Sequence, residues 1–274
     1  MPHPCPWGLP SKSREFLSWS DPMLPPVFLV VPFAHRGLHD LAAGRPENSR
    51  AAIAAAIDHG YGIEIDLQLT SDNVGVVFHD YTLERLTDGV GRVRTRTQGD
   101  LATLKLKGGT ETVPSFAEVL ALVAGRVPLL VELKDQDGAL GDNVGTLEAD
   151  VAKQIAEYEG PLAVMSFNPH SVSAMQALAP HIPRGLVTDS FTGSYWDAPP
   201  ERLAELAKIS DFDRVGASFV SHEWQTLRSQ PIKDLKVRGV PIFCWTIRSP
   251  SDEADAREVA DNVTFEGYLP KFRA

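Results

Sequence analysis

The sequence predicts a single closed (β/α)8 barrel, the TIM barrel. Three observations carry that expectation. Short runs rich in Val, Ile and Leu alternate with Ala-rich amphipathic stretches. The repeat interval is roughly 25 to 40 residues, the length of one βα unit. At 274 residues and 43% hydrophobic, the chain also has the size of one such barrel, which typically runs to about 250 residues.

In chain order, strands are predicted at residues 27–34, 62–67, 74–78, 127–133, 162–165, 184–187, 215–219 and 240–245. Helical patterns fall at 49–59, 115–124, 147–158, 169–178, 200–209, 232–237 and 251–260, with Ser49, Ser115 and Ser251 as cap or first-turn residues. Residues 80–114 break the rhythm. They are polar and Gly-rich, as in Thr87-Asp88-Gly89-Val90-Gly91, and read as a small insertion after the third strand, over the barrel mouth. The apolar run 27–33 is far shorter than the roughly 20 residues a bilayer span needs. It also lacks a charged segment before it and a small-residue cleavage site after it, so it reads as a strand, not a signal peptide. Residues 1–24, with Pro2, Pro4, Pro6 and Pro10, are expected to form a flexible extension, because their composition builds no core. The barrel domain is then 25–274.

Composition narrows the partners. A formal net charge of −10 offers no basic field to nucleic acid or an anionic membrane surface, so a small soluble substrate is expected, with no stable membrane insertion. The two cysteines, Cys5 and Cys244, support neither a disulfide framework nor a thiolate metal site, and a reducing cytoplasm is the expected compartment. The sequence assigns no oligomeric state.

The chemistry concentrates between His35 and Asp80. His35-Arg36, Glu47-Asn48, Glu64-Ile65-Asp66 and His79-Asp80 follow one another in a single segment. Two imidazoles, a permanent cation and several hard oxygen ligands suit a metal ion holding a phosphate ester. Strand alternation sharpens this. Ile63, Ile65 and Leu67 share one face, while Glu64 and Asp66 share the other, toward the barrel axis. Glu132 and Lys134 repeat the arrangement near a strand end. Three carboxylates crowded in one mouth repel each other unless a cation neutralises them. All-oxygen ligation argues for one Mg²⁺ or Ca²⁺ over Zn²⁺.

These motifs, with Ala34-His35-Arg36-Gly37, Pro46-Glu47-Asn48 and Val131-Glu132-Leu133-Lys134, resemble those of the glycerophosphodiester phosphodiesterases. Weaker likeness extends to the run Leu83 to Gly91, to Ser166-Phe167 and to Trp245-Thr246, so that residues 30 to 250 are covered. The resemblance implies a (β/α)8 barrel with a small insertion after the third strand, and metal-dependent hydrolysis of glycerophosphodiesters to sn-glycerol 3-phosphate and an alcohol. It implies His35 and His79 as the acid/base pair, Glu64, Asp66 and Glu132 as metal ligands, and Arg36 and Lys134 as phosphate contacts. Glu47, Asn48 and Asp80 would support them, and Phe167 and Trp245 would wall an apolar side of the pocket. The chain departs from the family's Thr-Asp near a terminal Tyr-Pro, reading Phe265-Glu266-Gly267-Tyr268-Leu269-Pro270, and it has Arg248 where an Asn commonly follows the Trp-Thr motif.

Two other functions compete. A phospholipase D or sphingomyelinase D-like enzyme acting on a lysolipid would meet membranes, and the acidic chain shows no exposed apolar loop, disulfide framework or secretion signal for that. A catalytically silent phosphopolyol-binding barrel has no physical need for two poised imidazoles beside a metal. His39, His59, His170, His181 and His222 lack comparable neighbours and are expected to be surface or capped residues.

Overall fold

The computed structural model describes residues 22–193 and 196–272, so the predicted extension lies, up to residue 21, outside the described residues. The apolar run at 27–34 divides instead of forming one strand. Pro25 and Pro26 lead into a short helix, α1 (Val27–Val30), and Pro32 follows it before β1 (Phe33–Ala34). A short apolar run is ambiguous between the two states, and proline ahead of the first turn favours helix.

The chain continues through α2 (Arg50–Asp58), β2 (Gly62–Leu69), β3 (Gly75–Val77), α3 (Gln98–Leu101), α4 (Phe116–Val123), β4 (Leu129–Leu133), α5 (Thr146–Ile155) and β5 (Leu162–Ser166). It ends with α6 (Pro169–Leu178), β6 (Arg184–Thr188), α7 (Pro200–Leu206), β7 (Phe219–Glu223), α8 (Gln230–Val237), β8 (Ile242–Ile247), α9 (Pro250–Ala256) and β9 (Asn262–Phe265). Caps fix several helix starts. Ser49 accepts from Ala52 N, Ser115 and Glu118 form a reciprocal box, and Ser249 caps α9 with Ser251 in its first turn.

Eight parallel strands close the barrel in the order β1, β2, β4, β5, β6, β7, β8, β9, with β1 paired to both β2 and β9. Three further strands differ from the sequence expectation. Residues 74–78 do not supply a barrel strand, because β3 folds back antiparallel on the end of β2, pairing Leu67 with Val77 and Leu69 with Gly75. The eighth barrel strand is β9, absent from the predicted set. The strand predicted at 215–219 begins at Phe219 and runs to Glu223.

Side-chain alternation divides the barrel. Ile63, Ile65 and Leu67 face outward and pack with Ile53, Ala56, Phe116 and Val119 of the surrounding helices. The lower interior is apolar. Phe28 of α1 plugs it beneath Phe33, Leu130, Ala163, Phe219 and Phe243, with neighbouring phenyl centroids 5.0 to 5.9 Å apart. Gly185 is required there, since a β-carbon would lie 2.4 Å from the Phe219 ring. Asn262 of β9, fully buried, donates to the carbonyls of Phe28 and Val31 at 2.7 Å each and ties the plug to the barrel. Residues 78–114 sit beside the mouth over a small core of their own that includes Phe78, Leu83, Val93, Leu101, Leu106 and Val113. Among the described residues, no helix is long and apolar enough to cross a membrane.

His222, on the outer face of β7, is buried between Thr188 Oγ1 at 2.7 Å and Thr226 Oγ1 at 3.0 Å. Burial pushes its imidazole down to about 4. The unfolded chain therefore takes up this proton between about pH 6.5 and 4 while the folded chain does not, so stability is full above that window and falls as the pH drops through it. Urea unfolding should show wild type losing about 3 kcal/mol more between pH 7 and pH 4 than His222→Gln; equal losses would refute this linkage.

Candidate active site

The upper interior is polar because the strand ends bring charged residues inward. Asp66 pairs in register with Glu132 across β2 and β4. The carboxylate oxygens of Glu64, Asp66 and Glu132, all buried, lie within 4.8 Å of one another. Burial, followed by the charges of Asp66 and Glu132, pushes the Glu64 carboxyl well above the usual carboxylate range. Burial works the same way on Asp66, but Lys134, His79 and Arg36 more than offset it and hold Asp66 well below that range. Lys134 Nζ bridges Asp66 Oδ1 at 2.8 Å and Glu132 Oε1 at 2.7 Å.

The β1–α2 loop wraps the other side. Arg36 has a left-handed backbone, φ 55°, which directs its N–H to Glu64 Oε2 at 3.0 Å and its guanidinium to Glu47 at 2.7 Å and Asp66 at 3.4 Å. Gly37 follows at φ 77°, where a β-carbon would meet the Ala52 carbonyl carbon at 2.9 Å. Asn48, also left-handed at φ 56°, donates through Nδ2 to Asp66 Oδ2 at 2.9 Å. Its Oδ1 is buried without a hydrogen-bond partner among the described residues. An all-oxygen cluster that cannot ionise fully by itself, with an orphaned amide oxygen beside it, fits a divalent metal ion.

Each imidazole has its own carboxylate. Glu266, just past β9, accepts from His35 Nδ1 at 2.7 Å. That contact fixes the tautomer and leaves Nε2 with the lone pair. Burial, then the neighbouring Arg36 charge, pushes His35 down to about 4, so it is neutral at pH 7. His79 Nδ1 lies 2.6 Å from Asp80 Oδ1, and Arg85 holds Asp80 through Nε at 2.6 Å and NH2 at 2.7 Å. Burial raises the Asp80 carboxyl, but the bonds from Arg85 and His79 outweigh it and hold the group well below the carboxylate range.

These groups converge on one cavity of about 230 Å³. It brings together His35, Arg36, Glu64, Asp66, His79, Glu132 and Lys134, with Phe167 and Trp245 in its wall. Glu47 and Asp80 stand behind it. Glu47 bonds to Arg36 and Arg85 rather than joining the three-carboxylate cluster.

The family model described as the glycerophosphoryl diester phosphodiesterase family matches residues 35–263. The chain belongs to that family. It is 37% identical over 254 residues to glycerophosphodiester phosphodiesterase 1 of Bos taurus, covering 83% of this chain and 74% of that one. It is 29% identical over 228 residues to a glycerophosphodiester phosphodiesterase of Caldanaerobacter subterraneus, covering 80% and 86%. Among solved structures, an Oleispira antarctica phosphodiesterase in complex with the product sn-glycerol 3-phosphate superposes with a TM-score of 0.71 at 25% identity, over 87% of this chain and 93% of that one. A glycerophosphodiester phosphodiesterase of Parabacteroides distasonis superposes at 0.67 and 24%, over 90% and 93%.

Three residues of this family member escape sequence reasoning. Glu266 sits at the end of a strand whose Asn262 and Thr264 hide its pattern. Arg85, within the weakly family-like run from Leu83, links Glu47 to Asp80 across the mouth. His39, read as a surface residue, places Nε2 3.5 Å from Glu266. Hydrogen bonds from His35 and His39 hold the Glu266 carboxyl far below its ordinary range, and the charge of Arg248, whose Nε lies 2.6 Å away, adds to them.

Glu266→Gln should lower kcat by about 10- to 100-fold, the scale known for removing a partner that orients a metal-ligating imidazole, with KM little changed and Glu266→Asp recovering part of the loss. An unchanged kcat would show that His35 needs no such partner.

Proposed function

We propose that the chain hydrolyses glycerophosphodiesters to sn-glycerol 3-phosphate and an alcohol, with His35 and His79 as the acid/base pair. The observation that carries this reading is the pair of imidazoles, each backed by its own carboxylate, in one cavity with three clustered carboxylates and two cations. Glu64, Asp66 and Glu132 would hold one divalent cation, Mg²⁺ or Ca²⁺, whose charge would polarise the phosphoryl group.

The chain's own residues do the rest. Arg36 and Lys134 bind the phosphate oxygens and offset the charge that grows on them. His35, neutral with its Nε2 lone pair available, takes the proton from the attacking oxygen. A water or the neighbouring glycerol hydroxyl is served by the same acceptor. His79, oriented by Asp80, gives a proton through Nε2 to the departing alkoxide, so that one proton enters and one leaves. Glu47 and Asn48 hold Arg36 and Asp66 in place. The acidic balance and the sparse cysteines suit a reducing cytoplasmic setting.

Release of sn-glycerol 3-phosphate from glycerophosphocholine and glycerophosphoethanolamine should be abolished by chelator and restored by Mg²⁺ or Ca²⁺. It should fall by about 10² to 10⁴ in His79→Ala. No release from any glycerophosphodiester under either metal would sink the reading and direct attention to lysolipids. Metal binding has its own readout. At 100 times its Kd, the preferred cation should add about 2.7 kcal/mol to wild-type stability and much less to that of Glu64→Gln; a wild-type melting temperature indifferent to both metals would remove the cation from the site.

A further inference from the structure

A second cluster of metal-ligating atoms includes His35 but none of the three carboxylates. His35, His39 and Glu266 each offer one ligand atom, and these atoms lie within 4.8 Å of one another. The fold sets their positions. β1 and β9 pair Ala34 with Phe265, so the next residues, His35 and Glu266, leave adjacent strand ends side by side, and His35 N donates to the Phe265 carbonyl at 2.9 Å. The turn at Gly37, whose carbonyl accepts from His39 N at 2.9 Å, brings His39 back to the same carboxylate. Both imidazoles address one oxygen. Glu266 Oε2 lies 2.7 Å from His35 Nδ1 and 3.5 Å from His39 Nε2, while Arg248 Nε keeps to Oε1 at 2.6 Å.

Two ligands on a tetrahedral zinc ion, each about 2.0 to 2.1 Å from the metal, stand roughly 3.3 Å apart. The separation of His39 Nε2 from Glu266, 3.5 Å, is already close to that. The 2.7 Å contact between His35 and Glu266 needs to open by about 0.6 Å when the shared proton gives way to a metal ion. The donor set is selective. Two imidazoles with one carboxylate suit Zn²⁺ and its transition-metal neighbours, whereas Mg²⁺ and Ca²⁺ prefer all-oxygen shells such as that of Glu64, Asp66 and Glu132. The side chains of His35, His39 and Glu266 are 13%, 24% and 20% exposed, which leaves a path for the ion and for a water as fourth ligand. His35 is neutral at pH 7 and Glu266 is held ionised by its neighbours, the protonation states that metal ligands require.

We propose that His35, His39 and Glu266 form a transition-metal site, filled by Zn²⁺, that switches the enzyme off. Without the ion, His35 Nδ1 carries the ring proton, donates it to Glu266 and leaves the lone pair on Nε2. When zinc bonds to Nδ1, the proton leaves that nitrogen and is carried by Nε2. The imidazole stays neutral, but the nitrogen that faced the attacking oxygen now bears N–H and accepts nothing. The site itself stands on geometry, and the inhibition rests on the phosphodiesterase reading above.

The test uses the full chain under saturating Mg²⁺, which keeps zinc out of the carboxylate centre. Zinc affinity is measured by competition with a chromogenic chelator in wild type, His39→Gln and Glu64→Gln, each checked for an unaltered melting curve. Wild type should bind one zinc ion. His39→Gln should weaken that binding by about 10- to 100-fold or more, since loss of a mere outer-shell partner already costs this much, and Glu64→Gln should stay close to wild type. Zinc-edge X-ray absorption reads the wild-type shell without any variant, and two imidazole nitrogens are expected in it. No zinc bound, an affinity indifferent to His39→Gln, a loss in Glu64→Gln or an all-oxygen shell would overturn the site. Turnover of glycerophosphocholine should fall in step with zinc occupancy, and the half-inhibiting zinc concentration should rise in His39→Gln by the same factor as the dissociation constant. Full turnover with zinc bound would overturn the inhibition. If no diester is cleaved even without zinc, the phosphodiesterase reading fails and the inhibition with it, while the binding measurements still decide the site.

Discussion

The site depends on one electrostatic constraint, the crowding of Glu64, Asp66 and Glu132 within 4.8 Å. At an effective dielectric constant near 20, each ionised pair at that distance repels by about 3 kcal/mol. Three such pairs would consume most of a typical domain's stability of about 5 to 15 kcal/mol. The fold meets this in two ways. Lys134 and Arg36 place their charges against Asp66 and Glu132, and Glu64 is driven toward its protonated form. The result is a centre that gains from taking up further positive charge.

Holding that arrangement requires rigid surroundings. β2 and β4 fix Asp66 opposite Glu132 through parallel pairing. Below them, the Phe28 plug and the phenyl layer seal the barrel, which lets the upper half be polar without water entering from beneath. Beside this centre, the β1–α2 loop carries two left-handed residues, Arg36 and Asn48, at a cost of about 1 to 2 kcal/mol each. The bond from Asn48 N to the Arg36 carbonyl, 2.8 Å, and that from Arg36 N to Glu64 stabilise this geometry. The same turn aims Arg36 and Asn48 at Asp66.

Much of this was legible in the sequence because strand alternation is rigid. In 63–67 the period of two separates isoleucine and leucine from Glu64 and Asp66 unambiguously, and Glu132 and Lys134 follow the same rule. What escaped had physical causes. The run at 27–34 is apolar in either conformation, and only the flanking prolines favour helix. Val76 and Val77 have the composition of a barrel strand, yet the turn at Asn73 folds them back along β2. β9 was hidden because Asn262 serves as the clasp on α1 and Thr264 lines the chamber, so its inward positions are polar where an apolar pattern was sought. Missing that strand also concealed Glu266. Arg85 lies in the insertion, where no periodicity indicates which way a side chain turns.

The two imidazoles share a design and differ in surroundings. His35 is enclosed, with its Nδ1 committed to a carboxylate that His39 and Arg248 also hold, and burial keeps the ring neutral. His79 stands where the chamber meets an adjoining cavity, on a carboxylate braced by Arg85, with an open path beyond it. A base benefits from enclosure, because a desolvated neutral imidazole with a fixed lone pair need not shed water before accepting a proton. An acid needs the reverse, since its partner must depart. Under the roles proposed above, the enclosed ring would serve the attacking side and the accessible one the departing side, an asymmetry set by packing as much as by charge.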